Sequence, residues 1–335
     1  MTSLAKSQLV IVWRVYEPCN LACHFCGYSR EIIRKRNITE PEQILAFGKT
    51  LSDFQQETDT EVLISWLGGE PLLWKELPKL SGIFRHELGI KLGITTNGTL
   101  LERESVRAML MKDYSLLTVS LDGFSNVHDF HRGETGLYEK IKRYINVLLD
   151  EITRSRSALK VRINTILMRE NIHEFESFCM DVANWGVQEL TFNQLGGIDR
   201  PEFYPDHRLL PEQVESFATK FPRIQMKAYA KGLTIFGGQP YLERLIATSR
   251  DISISVEDCN PGRKFLFINE ENLVSPCNFT TVDYGIPLAE LKNVTDLINL
   301  QDRFRYKQKY ERAMPCNNCH STQIFEKFNR SLEIA

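Results

Sequence analysis

Cys19, Cys23 and Cys26 fall within eight residues, spaced Cys-x-x-x-Cys-x-x-Cys, directly after an apolar segment. Three thiolates this close can hold three corners of an iron-sulfur cube. Electron-transfer clusters generally take four cysteines, so a run that stops at three implies one iron with an open position, as a catalytic metal centre requires. A half zinc site, a disulfide-forming cluster and chance are the alternatives at this spacing. Of the other cysteines, Cys179 sits at an apolar position of a helix-like stretch and reads as a buried free thiol. Cys259, Cys277, Cys316 and Cys319 together offer four thiolates, the number that saturates a four-iron cluster. A four-cysteine zinc site suits the terminal Cys-Asn-Asn-Cys equally well on spacing.

The elements that must position these thiols alternate regularly. Strands are expected at Leu9 to Tyr16, Glu61 to Leu67, Ile90 to Thr95, Leu116 to Leu121, Lys160 to Leu167 and Gln188 to Phe192. Helices are expected between and after them, at Pro41 to Phe54, Trp74 to Leu88, Glu102 to Met111, Leu137 to Ile152 and Ile172 to Trp185. Six strand-helix units in sequence imply a parallel sheet, because parallel neighbours need crossover connections. The fold class is therefore α/β, a partial (β/α)6 TIM-type barrel. In such folds ligands sit at the carboxyl ends of the strands. The three cysteines follow the first strand, Gly68-Gly69-Glu70-Pro71 the second, Asn97-Gly98 the third, and Ser120 with Asp122-Gly123 closes the fourth. Four polar or glycine-rich stretches thus face one mouth, and Asn97, Arg162, Asn164 and Asn193 are further residues that could reach it.

Beyond residue 195 prolines become frequent. Residues 196–258 read as a bridge with helix around Pro211 to Phe221 and Pro240 to Ala247. Residues 259–335 read as a small α+β unit with a hairpin, Phe265 to Ile268 and Leu273 to Pro276, followed by helix over Leu288 to Tyr310. The 335 residues carry 41 Lys+Arg against 43 Asp+Glu, a net charge of -2, with no basic stripe to track phosphates. The apolar run Leu9 to Trp13 is cut by Arg14, which argues against a signal peptide or membrane span. A cytoplasmic protein without nucleic-acid or membrane partners is expected, and clustered cysteines fit metal ligation in a reducing compartment.

Cys19, Cys23 and Cys26, with Phe25 before the third cysteine and Gly68-Gly69-Glu70-Pro71 downstream, resemble the signature of radical S-adenosylmethionine (SAM) enzymes over roughly residues 9 to 195. The resemblance implies that the three cysteines hold a 4Fe-4S cluster whose open iron is chelated by SAM, and that one electron cleaves the sulfonium to a 5'-deoxyadenosyl radical. It implies that Gly68 and Gly69 allow close backbone approach, that Glu70 accepts from the SAM ammonium beside Pro71, that Phe25 and Gly27 line the adenine, and that Ser120 contacts ribose or carboxylate. Each has a plainer alternative, from a helix N-terminus at Glu70-Pro71 to a core aromatic at Phe25. Cys259 to Cys277, then a helix and a terminal Cys-x-x-Cys, resembles the auxiliary-cluster extension called SPASM or, in its one-cluster form, twitch. That implies a second 4Fe-4S cluster on Cys259, Cys277, Cys316 and Cys319.

One departure bears on the reaction. Family members that oxidise a peptide serine or cysteine place a basic aspartate after the cysteine matching Cys277, whereas this chain has Asn278, and a neutral amide takes up no proton. Asp258 or Asp283 would have to substitute, and the catalytic acid or base stays unassigned. Ser120 to Asp122-Gly123 with His128-Asp129 and Arg132-Gly133 resembles the subgroup that modifies ribosomally made peptides. A precursor-peptide substrate is expected, with a separate leader-binding protein because the chain begins almost at its first strand, and a flavodoxin- or ferredoxin-type reductant. Dehydrogenation or decarboxylation of a sugar or cyclitol is the alternative.

Overall fold

A computed structural model describes residues 7–325; the ends of the expected first and last domains, 1–6 and 326–335, lie outside the described residues. Its centre is one sheet of ten strands: β1 (Gln8–Tyr16), β2 (Glu61–Gly68), β3 (Lys91–Thr96), β4 (Leu116–Ser120), β5 (Lys160–Leu167), β6 (Glu189–Gln194), β7 (Thr234–Ile235), β8 (Phe265–Ile268), β9 (Leu273–Ser275) and β10 (Ile286–Pro287). The order is β10-β9-β8-β1-β2-β3-β4-β5-β6-β7. Strands β1 to β7 pair in parallel in chain order, the partial barrel expected from the alternation.

Alternation along β1 shows why the sheet holds. Leu9, Ile11, Trp13 and Val15 are buried on one face while their neighbours are only partly covered. Trp13 packs edge-on against Phe47 of the helix Pro41–Thr58 at 5.7 Å and beside Trp66 of β2 at 5.8 Å. Each such fully buried large side chain contributes roughly 1.5–3 kcal/mol. Cys179 lies in the helix Phe175–Asn184, fully buried, as its apolar surroundings predict.

The structure departs from expectation in four places. The hairpin β8–β9 pairs β8 in parallel with β1, from Val10–Phe265 to Trp13–Ile268, so the cysteine-rich C-terminal part shares the barrel's sheet. A short seventh parallel strand, β7, sits inside the bridge, too brief for any periodicity to register. The stretch 74–88 is a six-residue helix, Leu77–Gly82, running into a π-turn, Ile83–Glu87. The stretch 288–310 breaks at Asn293, whose side chain accepts from Asp296 N (3.1 Å) while Asp296 accepts from Asn293 N (3.1 Å). This reciprocal cap begins a new helix, giving Val294–Ile298 and then Leu300–Tyr310. Among the described residues no helix is long and apolar enough to cross a membrane.

Candidate active site

The loop after β1 carries the three cysteines, and the loops after β2 and β4 clamp it. Gly69 N donates to Tyr16 O (2.7 Å) and Glu70 N to Pro18 O (2.9 Å). A Cβ on Gly68 would overlap the Tyr16 carbonyl, and one on Gly69 the carbonyls of Glu17 and Pro18. The close approach that demands both glycines is thus to the backbone leading into the cysteines. On the other side His24 N donates to His131 O (2.9 Å), and Gly133, at φ +69, packs close on Ala22, whose Cβ and carbonyl an added Cβ would meet at 3.0 Å.

Glu70 holds the loop after β2 to the end of β3. Its side chain is turned inward and fully buried, accepting from Leu72 N (3.1 Å), Thr96 Oγ1 (2.8 Å) and Asn97 N (2.7 Å). It caps the turn Pro71–Leu73 and fixes the end of β3. Pro71 is buried at the start of that turn. Burial pushes the Glu70 carboxyl up to about 7, against the pull of the three donors. With a folded value above the unfolded one, ionised Glu70 costs stability, and this cost grows as pH rises from 4.5 towards about 7. Glu70→Gln is therefore expected to flatten the fall in thermal midpoint across that window; an unchanged slope would contradict it.

Cys23 is buried and Cys19 and Cys26 are half-buried, all as free thiols. Burial pushes the Cys23 thiol up to about 12, with the Arg132 guanidinium pulling it back, and burial raises Cys19 and Cys26 as well. Such thiolates require cationic compensation. Arg132 supplies part of it: its Nε donates to Asp122 Oδ2 (2.7 Å), and its guanidinium lies 5.2 Å from the centroid of Phe25. Asp122 is fully buried and accepts in addition from Ile166 N (2.9 Å), and its own N–H donates to His128 Nδ1 (3.1 Å). Burial opposes the Arg132 charge, but Asp122 and Cys23 hold it protonated, above the usual arginine value. Arg132→Gln strands the Asp122 carboxylate and is expected to cost about 3–5 kcal/mol of stability, read as a chemical-denaturation midpoint.

The remaining expected residues are placed unevenly. Asn97 reaches the cysteines, its Nδ2 donating to Asn20 Oδ1 (2.9 Å) and lying 3.8 Å from Cys19 Sγ. Gly27 faces Asp199, whose Cβ a substituent there would meet at 3.3 Å. Ser120 ends β4, half-buried, beside Asn164 of β5. Asn164 accepts from Thr191 Oγ1 (2.9 Å) and Asn193 Nδ2 (3.1 Å). Arg162, early in β5, is instead paired with Glu189 at the start of β6, away from the strand ends.

The four C-terminal cysteines do come together. Cys259, Cys277, Cys316 and Cys319 line one cavity of about 690 Å³ with Tyr284 and Gln308. Burial pushes the Cys259 thiol up to about 12 and raises Cys277 and Cys319. Gln308 Nε2 donates to Cys259 Sγ (3.4 Å), and Cys319 N to Ile254 O (2.8 Å). An adjoining space of about 290 Å³ touches both parts of the chain: Asn193 and Gln194 from β6, Tyr241, Asn278, Phe279 and His320. Asp258 and Asp283, the alternative bases, are both exposed. His320 lines both spaces, a role that a lone histidine after the last cysteine does not announce. Arg244 Nη2 donates to its Nε2 (2.8 Å), while burial and the Arg244 charge lower its pKa to about 4.

Residues 13–182, just over half of the chain, match the family described as the Radical SAM superfamily. The chain belongs to that superfamily. Membership entails a 4Fe-4S cluster and SAM. Among curated relatives, the Fe-coproporphyrin III synthase of Methanosarcina barkeri is 30% identical over 165 residues, 49% of this chain and 38% of that protein's length. The AdoMet-dependent heme synthase of Nitratidesulfovibrio vulgaris is 23% identical over 324 residues, 92% of this chain and 84% of that protein. The cysteine-type anaerobic sulfatase-maturating enzyme of Clostridium novyi is 23% identical over 339 residues, 94% of this chain and 86% of that protein.

Proposed function

We propose that this radical SAM enzyme carries two 4Fe-4S clusters, one on Cys19, Cys23 and Cys26 and an auxiliary one on Cys259, Cys277, Cys316 and Cys319, and that it modifies a residue of a ribosomally made peptide. The convergence of the four C-terminal cysteines on a single cavity carries the two-cluster reading. The resemblance of this cysteine pattern to the auxiliary-cluster extension favours iron-sulfur over zinc. Arg244 fits a thiolate-ligated group as well. It is buried, its Nε and Nη1 have no hydrogen-bond partner, and burial lowers its pKa while the Cys319 thiolate pulls the other way.

When bound, the first cluster and SAM supply one-electron cleavage of the sulfonium and the radical that abstracts a substrate hydrogen. The protein's part is placement. Gly68, Gly69 and buried Glu70 hold the loop after β2 rigid, Pro71 starts its turn, and Phe25, Gly27 and Ser120 border the mouth where the adenosyl group would lie. Asp122 orients Arg132 beside the thiolates, and His320, its pKa lowered by burial and the Arg244 charge, lines the space beside the auxiliary cysteines.

The peptide assignment rests on the Ser120 to Gly133 segment and on the near full-length similarity to a sulfatase-maturating enzyme. A leader-binding protein and a flavodoxin- or ferredoxin-type reductant are the partners this reading requires. Asn278 in place of an aspartate, together with the near full-length similarity to a heme synthase, favours a second reading, dehydrogenation or decarboxylation of a small molecule. Anaerobic turnover with candidate peptides separates the two: 5'-deoxyadenosine rising with a mass change on a peptide residue supports the first, and turnover of a small carboxylate or sugar alone overturns it. Alanine at Cys19, Cys23 and Cys26 together should leave about four of eight irons per reconstituted chain; unchanged iron would sink the assignment.

A further inference from the structure

Three loops that ring the mouth meet at a polar group that the reading above leaves unused. His131 lies in the helix Ser125–Arg132 after β4, Glu170 follows β5, and His207 ends the helix Tyr204–His207 after β6. One ligand atom from each lies within 4.8 Å of the other two. His207 Nδ1 is 2.6 Å from Glu170 Oε1, His131 Nε2 is 3.8 Å from Glu170 Oε2, and the two imidazoles stand nearly perpendicular with centroids 5.2 Å apart.

The second observation is a deficit of partners. His131 is 1% exposed, its Nδ1 has no hydrogen-bond partner, and the 3.8 Å from Nε2 to the carboxylate is too long for a hydrogen bond. Glu170 Oε2 is likewise buried without a partner. Buried polar atoms left unpaired are costly, and a cation between Nε2 and Oε2 would satisfy both sides of that gap. Two imidazoles and one carboxylate suit a first-row transition ion rather than Mg²⁺ or Ca²⁺, which take oxygen ligands.

We propose that His131, Glu170 and His207 bind one divalent ion of the zinc class through two imidazole nitrogens and a carboxylate oxygen, fastening together the loops after β4, β5 and β6. The site is independent of the cysteines. It adjoins them mechanically, because His131 O accepts from His24 N in the cysteine loop and Arg132 follows His131 in sequence. Arg169 N donates to His207 O (2.9 Å), so two of the three loops already touch beside the proposed ion.

The test uses the full chain with its clusters reconstituted, equilibrated with Zn²⁺ and freed of excess, and reads metal content together with zinc-edge X-ray absorption. One zinc per chain is expected, with nitrogen and oxygen scatterers at about 2.0–2.1 Å and no sulfur at about 2.3 Å. Glu170→Gln and the half-buried His207→Gln should each weaken zinc retention at least about tenfold. His173→Gln, which alters an exposed histidine, should leave it unchanged. Iron content and circular dichroism matching the parent establish that the variants are folded. Sulfur scattering, no zinc retained by the parent, or retention by the Glu170 and His207 variants equal to the parent's would overturn the proposal.

Discussion

Cys23→Ala is expected to reduce formation of 5'-deoxyadenosine from SAM under dithionite by at least about 10³-fold, a loss of about 4 kcal/mol of barrier lowering. Cys23 is the most enclosed of the three thiols, between Arg132 and the barrel wall, with burial and a cation acting on it in opposite directions. Removing it leaves two ligands for a cluster that already lacks a fourth, and no other cysteine stands nearby to substitute, because the remaining ones are the fully buried Cys179 and the four of the C-terminal cavity. The assay is chromatographic quantification of 5'-deoxyadenosine over time. Retention of more than a few per cent of the parent rate would contradict the assignment of Cys23 as a ligand. The same variant should keep the auxiliary iron, which distinguishes ligand loss from misfolding.

Gly69→Ala carries the second largest effect, through geometry alone. The new methyl would overlap the Glu17 and Pro18 carbonyls, which are main-chain atoms and cannot rotate aside. Relief requires the loop after β2 to move away from the loop after β1, breaking the bonds from Gly69 N to Tyr16 O and from Glu70 N to Pro18 O. Overpacking of this kind costs about 1–3 kcal/mol, and each broken bond adds about 1 kcal/mol. The expected result is a fall of about 3–5 kcal/mol in unfolding free energy, with weaker SAM binding by the surviving folded fraction. Gly82→Ala, where nothing lies within 4 Å of the added carbon, is the control and should be neutral or mildly stabilising. Equal stability of the two variants would refute the clamp.

The barrel was legible because its strands and helices are long enough for period to declare itself: the alternation of β1 and the repeated crossovers leave little freedom. The cysteine loops were legible because spacing alone marks them. What remained hidden depends on contacts between distant segments. Thr96 and Asn97, which donate to Glu70, lie a strand away from it. The glycine pair reads as an opening for a ligand until Tyr16 to Pro18 are seen to occupy the space. Strand β8 gives no local sign that it will join β1, since strand pairing is set by register and not by composition. Arg162 was misplaced for a related reason, its partner Glu189 lying across the sheet.

A common arrangement links the two cysteine sets. Each has one buried arginine within its electrostatic reach: Asp122 and Cys23 hold the Arg132 charge against burial, whereas burial lowers Arg244 against the opposing pull of Cys319. The Asn193, Asn278 and His320 groups lie along the space next to the auxiliary set.

Mössbauer spectroscopy of the ⁵⁷Fe-reconstituted chain, with zinc and sulfide measured on the same sample, tests this account most directly. It predicts about eight irons and eight sulfides per chain in two 4Fe-4S clusters, with SAM perturbing only the one that has an open iron. Four irons with zinc on the C-terminal cysteines, or two clusters that both ignore SAM, would contradict it.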